Sequence, residues 1–301
     1  MWVVTYRKYF YAFSLILMIG AFVSLGMWGL KPGIDFTGGT LVEVSYPETT
    51  PDQALVTAAL AQIDPTASVR STEVNGVKGF IVRLKPVDQT EKAAVFSSLS
   101  LNGAHKIEEK NFSSVGPILG AEAIRKSLLS ILLVIICIVL FITFAFRKVS
   151  EPVKSWKYGF VAIVALVHDV IIPVGAFSIL GHFGGYEVDT LFVTALLVIL
   201  GFSVHDTIVV FDRVRENLRN PTKKPFSEIV GESISQTFAR SINTSLTTLI
   251  ALVVLYFVGG ETTQHFALAL IIGIAAGVYS SIFIGSPLLV TIEKWGGKGK
   301  Q

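Results

Sequence analysis

Four long stretches without a charged side chain constrain this chain of 301 residues more than any other feature. They cover residues 9–30, 127–146, 241–260 and 262–292. Each is about as long as the helix of roughly 20 residues that crosses the hydrocarbon core of a bilayer. Only 16% of all residues are charged, against about 25% in soluble domains. The sequence therefore excludes an ordinary soluble globular protein and predicts a polytopic α-helical membrane protein.

Six membrane spans are predicted once apolar segments with an isolated ionisable group are included. They cover residues 9–30, 126–146, 158–180, 190–211, 238–258 and 265–290. The apolar part of the first span is longer than the core of a signal peptide, so we expect an uncleaved anchor. Cys137 is the only cysteine, which excludes an internal disulfide or a cysteine metal cluster.

The distribution of lysine and arginine predicts the orientation of the spans. Basic residues cluster in the N-terminal segment 1–8, the loops 147–157 and 212–236, and the tail 293–301, whereas the segments 181–189 and 259–264 contain none. The positive-inside rule then predicts that both termini are cytoplasmic. The net charge is only +3, and the basic residues flank the spans, so we expect no nucleic-acid partner.

The segment 31–125 is rich in charged residues and is predicted to be an extracytoplasmic domain between the first two spans. Alternation of apolar residues, helical periodicity and turn residues predict the order βαββαβ. The predicted elements are strand 40–46, helix 51–63, strands 68–74 and 79–84 around the hairpin signal Asn75-Gly76, helix 88–99 and strand 104–112. This order is typical of a small α+β ferredoxin-like domain. The remaining segments are the N-terminus with the first span (1–30), the bundle of five spans (126–292) and the tail.

Three charged residues inside the spans require an explanation, namely Asp169, Asp206 and Arg240. A charged side chain near the centre of a membrane helix costs about 2.5–3.5 kcal/mol on insertion scales. Asp206 and Arg240 enter their spans from the same side at similar depth, which predicts that they can pair. The pair is either a proton relay or a static ion pair that fixes packing, and spacing alone favours neither.

Polar side chains accompany this predicted pair. Ser203 and Thr207 lie near Asp206 on the fourth span, and the fifth span has a polar stripe at helical spacing. The stripe consists of Gln236, Arg240, Asn243, Thr244 and Thr247. Asp169 is interpreted as a hydrogen-bonded structural acid, with a secondary relay role as the alternative.

Two histidines and a row of small residues are the other notable features of the spans. His168 and His205 each precede an aspartate, and because neighbours on a helix point in different directions, we expect no hydrogen-bonded His-Asp dyad. Small residues recur every four positions in the sixth span, at Gly273, Gly277, Ser281 and Gly285. This spacing predicts close helix packing, either within the chain or against a partner. We expect no metal and no cofactor.

Several motifs resemble those of the SecD/SecF family of protein-export membrane subunits. They are Gly-Ile-Asp-Phe-Thr-Gly-Gly-Thr at 33–40, Ser-Val-Gly-Pro at 114–117, the segment 201–217 that contains Asp206, and the segment 236–248 that contains Arg240. The resemblance covers nearly the whole chain. The sequence departs from the family pattern at Phe202 and His205, where tyrosine and asparagine are usual, and this departure affects the surroundings of Asp206.

The resemblance implies a half-transporter of the resistance-nodulation-division superfamily, in the bacterial cytoplasmic membrane. Such subunits assemble with SecD, associate with the SecYEG channel and often YajC, and use the proton-motive force to promote translocation of unfolded preproteins. The essential acid falls on Asp206 and its partner arginine on Arg240, with Thr244 one turn along the same helix, and Asp169 and His205 are secondary candidates. The glycines Gly33, Gly38 and Gly39 would shape the hinge after the first span, and Asp35 there is alternatively a turn or capping residue.

Three other functions remain as alternatives. A transporter of small molecules or lipids from the same superfamily is disfavoured by the small outer domain. An intramembrane aspartyl protease would use Asp169 and Asp206, because two close carboxylates can share a proton. Arg240 would keep Asp206 ionised, which argues against this enzyme, and we expect no enzymatic activity. A passive scaffold would tolerate the loss of Asp206.

Overall fold

The computed structural model describes residues 2–74, 76–88, 90–145, 155–219 and 224–297. The chain forms two compact units, one made of residues 32–128 and the other of residues 1–31 together with 129–301. The predicted loop 147–157, the hairpin residue Asn75 and the end of the tail lie wholly or partly outside the described residues.

Within the described residues, six helices are long and apolar enough to cross a membrane, which agrees with the predicted number of spans. They are α2 (Arg7–Trp28), α6 (Pro117–Ala145), α7 (Ser155–Gly184), α8 (Thr190–Arg219), α9 (Phe226–Val258), and a last helix that consists of α10 (Glu261–Ser280), a π-helical segment (Ser281–Gly285) and α11 (Ser286–Gly297). A short helix, α1 (Trp2–Thr5), precedes the first of them. Several helices extend beyond the predicted spans, because hydropathy marks only their apolar part. α9, for example, begins at Phe226 and not near residue 238.

The helices differ in how much of their surface the chain itself covers. In α7, α8 and the last helix, half or more of the apolar stretch is buried, whereas α2, α6 and α9 are mostly exposed. The row of small residues packs within the chain. An added Cβ at Gly273 would lie 2.1 Å from Ile199 of α8, and one at Gly277 would lie 3.3 Å from the Cβ of Ser203. The last helix therefore lies close against α8.

The unit of residues 32–128, called the sheet unit below, has four antiparallel strands among its described residues, in the order β2-β3-β1-β4. They are β1 (Gly39–Ser45), β2 (Ser68–Val74), β3 (Val77–Leu84) and β4 (Glu108–Val115). Two helices, α4 (Gln53–Leu60) and α5 (Lys92–Leu99), pack on one face of this sheet. Alternate residues of β1, Val42 and Val44, point into this core with Phe80 and Val82 of β3.

Asp64 connects the end of α4 to the end of β3. Its carboxylate accepts hydrogen bonds from the Thr66 amide at 2.9 Å, the Thr66 hydroxyl at 2.6 Å and the Lys85 amide at 2.7 Å. Burial by itself would raise the pKa of Asp64, but these hydrogen bonds and the charge of Lys85 outweigh it and lower the pKa to about 2. The ionised form thus stabilises the folded unit.

We expect Asp64→Asn to destabilise the sheet unit by about 2 kcal/mol near neutral pH, because this pKa lies almost two units below its ordinary value. In the unchanged chain, the contribution is complete above about pH 4 and is lost as the pH falls towards about 2. Hydrogen exchange of the Lys85 amide in the full chain measures it. Asp52→Asn is the control, because asparagine also caps a helix well and Asp52 caps α4. Equal protection in both variants would contradict the prediction.

Candidate proton-binding site in the membrane helices

Asp206 is a buried acid on α8, with only 4% of its surface exposed. The Ser241 hydroxyl of α9 lies beside its carboxyl group, but outside hydrogen-bonding geometry. Among the described residues, neither Asp206 Oδ2 nor Ser241 Oγ has a hydrogen-bond partner. A buried carboxyl oxygen without a partner is costly, so this site is poorly suited to a permanently ionised group.

Arg240 does not contact Asp206 in the single chain. Its side chain is exposed on α9, as are Asn243 and Thr244, and no ion pair joins it to an acid within the described ranges. Within residues 236–247 of α9, the buried side chains are Thr237, Ser241 and Ser245. The predicted polar stripe thus lies on the exposed face of α9. Because one step along a helix turns the side chain by about 100°, the neighbours Arg240 and Ser241 lie on different faces of α9, the first exposed and the second buried.

Asp169 is the most completely enclosed acid among the described residues, with 0% exposure. Its Oδ2 accepts hydrogen bonds from the hydroxyls of Ser203 on α8 and of Ser280 on α10, the latter at 2.8 Å. Its Oδ1 lies 2.9 Å from His168 Nδ1. The structure therefore supports the interpretation of Asp169 as a hydrogen-bonded acid. It assigns Ser203 to Asp169, although the sequence suggested Asp206.

The expectation that His168 and Asp169 form no dyad is wrong. The two side chains leave the helix in different directions, but the imidazole is long enough to reach the adjacent carboxylate with Nδ1. The other histidine of this pattern, His205, is exposed next to Asp206. Among the residues that the structure describes, no group of three or more His, Cys, Asp or Glu could hold a metal ion.

Serines of the last helix complete the polar contacts of this region. The Thr207 hydroxyl lies 2.9 Å from that of Ser281, so Thr207 also bonds away from Asp206. Sequence reasoning placed Ser281 in a packing row and did not single out Ser280 or Ser241. The available signal for Ser280 was the adjacent pair Ser280-Ser281 within an apolar helix, and the π-helical segment begins at Ser281.

The predicted hinge motif, residues 33–40, contains the one-turn helix α3 (Ile34–Thr37) and its flanking glycines. Gly38 and Gly39 have φ angles of 75° and 132°, which L side chains rarely adopt. An added Cβ at Gly38 would also lie 2.9 Å from the Cα of Pro117. Gly33 has an extended backbone, and Asp35 lies in the first turn of α3. The backbone conformation of both residues, and the close approach of Pro117 to Gly38, therefore explain why glycines occupy these two positions.

Comparisons with known proteins agree with this architecture. The family model described as protein export membrane protein SecD/SecF, C-terminal, matches residues 95–295, and the SecD/SecF GG motif matches residues 23–46. The protein translocase subunit SecF of Thermobaculum terrenum is 44% identical, over 97% of this chain and 93% of that protein. The SecF subunit of Anaerolinea thermophila is 37% identical, over 95% of this chain and 92% of that protein.

Solved structures of the longer SecDF protein also match. The crystal structure of SecDF from Thermus thermophilus, a translocon-associated membrane protein, superimposes with a TM-score of 0.80 at 32% identity. The match covers 97% of this chain but only 38% of the SecDF chain. A super-membrane-facing form of SecDF gives a TM-score of 0.68. By the family model and by its full-length relatives, the chain belongs to the SecF family of protein translocase subunits.

Proposed function

We propose that this chain uses the proton-motive force, together with a SecD partner, to promote preprotein translocation across the bacterial cytoplasmic membrane. As a member of the SecF family it is a protein translocase subunit. The observation that supports proton use most directly is Asp206, a buried acid within a membrane helix whose Oδ2 has no hydrogen bond among the described residues. Such a group is stabilised by binding a proton and by forming a new contact.

The exposed stripe of α9 supports a partner on that face. Arg240, Asn243 and Thr244 would be costly against lipid, and the Thr244 hydroxyl donates only to the Arg240 carbonyl of its own helix, at 2.9 Å. We propose that SecD covers this stripe and that Arg240 faces an acid or a water-filled path at the interface. Arg240 then reaches Asp206 only when the helices move. Assembly with the SecYEG channel and YajC extends this proposal.

The topology follows from the same proposal. The termini, the loops 147–157 and 212–236 and the tail 293–301 are cytoplasmic, because they contain the basic residues. The segment 31–125 is a ferredoxin-like domain on the outer side, between the first two spans, and the strand order β2-β3-β1-β4 supports this fold. The glycines of the 33–40 motif form the connection to the first span.

The energy that protons provide is sufficient for a rigid-body movement. A proton that crosses ~100 mV gains about 2.3 kcal/mol, and each pH unit adds about 1.4 kcal/mol. If protonation of Asp206 favours one arrangement of α8 and α9 by a few kcal/mol, the outer domain can alternate between two positions. Cycles of this movement would pull on an emerging preprotein.

The alternatives receive less support. The relatives are named protein translocase subunits, a non-catalytic role. An aspartyl protease needs two carboxyls that share a proton, but Asp169 bonds to His168 and two serines, and no hydrogen bond joins it to Asp206 in the described part of the chain. Among the described residues, no contact specifically supports a transporter of small molecules or lipids.

Export into energised membrane vesicles tests the proposal. We expect Arg240→Met to assemble with SecD but to lose the part of export that depends on the proton gradient, whereas Arg240→Lys keeps some of it because the charge remains. Arg219→Met, at the exposed end of α8, is the matched control for loss of an arginine. Normal gradient-dependent export by Arg240→Met would contradict a proton role for the exposed stripe.

A further inference from the structure

The polar cluster around Asp169 consists of this acid, His168, Ser203 and Ser280, and it lies where α7, α8 and α10 meet. All four side chains are at most 2% exposed. Within the described residues, no lysine or arginine forms an ion pair with Asp169, and His168 is its sole basic contact. If the imidazole is neutral and Asp169 is ionised, the cluster has a net charge of −1 inside the membrane, which is costly without a counter-charge.

Ser280 has a choice of two acceptors for its single hydroxyl hydrogen. Its Oγ lies 2.8 Å from Asp169 Oδ2 and 3.1 Å from the Gly277 carbonyl oxygen. When Asp169 is ionised, Ser280 donates to the carboxylate. When Oδ2 is protonated, the acid donates to Ser280, which then donates to Gly277. Both forms of the acid thus have their hydrogen bonds satisfied without a change of position.

We propose that Asp169 is a second proton-binding carboxyl of this chain, and that Ser280 reports its protonation state to the last helix by reversing its hydrogen bond. One proton adds to Oδ2, an O–H bond forms, and the Ser280 hydrogen turns from Asp169 to Gly277. The proposal rests on the proposed function only in that proton binding at Asp169 serves export.

His168 is the positioning residue of this site. In its neutral form with a hydrogen on Nδ1, it donates to Asp169 Oδ1 and leaves a lone pair on Nε2. Nε2 is buried and has no hydrogen-bond partner among the described residues. The Tyr279 ring of α10 stacks on the imidazole with 6.2 Å between ring centroids.

Within the described residues, none of the other ionisable groups on the surrounding helices forms an ion pair with Asp169. Asp206 on α8 is an acid. Arg7 and Lys8 lie at the beginning of α2, and Arg7 donates to the Val4 carbonyl at 2.7 Å. Glu293 lies near the end of α11.

The junction of α10 and the π-helical segment connects the two acids. Ser280 bonds to Asp169, and the next residue, Ser281, bonds to Thr207 of α8, which adjoins Asp206. π-Helical turns inside α-helices occur often at functional sites, since their hydrogen-bond ladder is irregular. A change at Asp169 therefore acts on the junction that also contacts the neighbour of Asp206, so the two carboxyls are coupled through α10.

Infrared difference spectra between acidic and alkaline pH test this inference on the complex with SecD in lipid vesicles. We expect a band of a protonated carboxyl group that is absent in Asp169→Asn. In Ser280→Ala the band should shift, because the acid loses the hydroxyl to which it donates. Asp206→Asn should keep this band, which assigns it to Asp169.

A pH-dependent carboxyl band that is unchanged in both Asp169→Asn and Ser280→Ala would overturn the inference. If Asp169→Asn does not assemble, the band position in Ser280→Ala decides, and an unshifted band overturns it. Export separates the two proposals. Loss of gradient-dependent export in Asp206→Asn without any Asp169 band supports the proposed function and refutes the second site. Normal export by Asp206→Asn with the Asp169 band present refutes the function of Asp206 and supports the second site.

Discussion

Asp206→Asn is expected to leave the chain folded in the membrane and to reduce export to the rate measured after the proton gradient is collapsed. Asparagine has nearly the shape of aspartate, and it removes a buried acid whose Oδ2 lacks a hydrogen bond in the described residues. The folded state therefore loses no ion pair. The side chain at position 206 can then no longer bind and release a proton, so the energy of the gradient no longer reaches α8 and α9 through it. Export of a secreted reporter into energised vesicles, with and without an ionophore, measures the difference.

The matched control for this experiment is Glu228→Gln, which neutralises an exposed carboxylate in the first turn of α9. We expect gradient-dependent export to persist in this control. Membrane levels and association with SecD are measured in both variants. If Asp206→Asn assembles and exports as well as the control does, the acid is structural and the proposal of proton coupling through it is wrong.

Gly175→Ala is expected to destabilise the membrane unit by about 1–3 kcal/mol, the usual cost of overpacking a tightly packed interior. An added Cβ would lie 2.3 Å from the Cβ and 2.5 Å from the Cα of Ala21 on α2. Because one of these atoms belongs to the backbone, α2 must move away from α7. The movement also strains the hydrogen bond of 3.1 Å from the Ser24 hydroxyl to the Gly175 carbonyl. Thermal unfolding of the purified chain in detergent measures this effect.

Gly20→Ala provides the control on the same pair of helices. No atom lies within 4 Å of a Cβ added at Gly20, and alanine has a higher helix propensity than glycine. We therefore expect an unchanged or slightly raised unfolding temperature. Equal stability of the two variants would show that α2 and α7 are packed less closely than in this structure.

Much of the fold could be predicted from the sequence, since its elements are set by local patterns. The six apolar helices follow from stretches without charge, and the strands β2 and β3 agree with their predicted ranges within two residues. The ends of the long helices could not be predicted in this way. α6 begins at Pro117, nine residues before the predicted span, because a helix continues through polar residues that hydropathy excludes.

The candidate site could be predicted only in part. The residues that require an explanation, Asp169, Asp206 and Arg240, are visible in the sequence, because charge inside an apolar span is rare. Their partners are not visible. Ser203 contacts Asp169 and not the predicted Asp206, and Ser280, which the sequence did not predict as a partner, also bonds to Asp169. A partner on another helix depends on rotation and depth, and a difference of one residue changes the face of a helix.

The sequence by itself determined the number of spans, the family and the identity of the acids inside the membrane. These properties follow from composition and motifs, which do not depend on how the helices pack. Only the tertiary structure decided that Ser241, and not Arg240, faces Asp206, and that His168, Ser203 and Ser280 enclose Asp169. The physical reason is close packing. Glycines such as Gly277 set how near two helices approach, and this distance decides which polar atoms can reach each other.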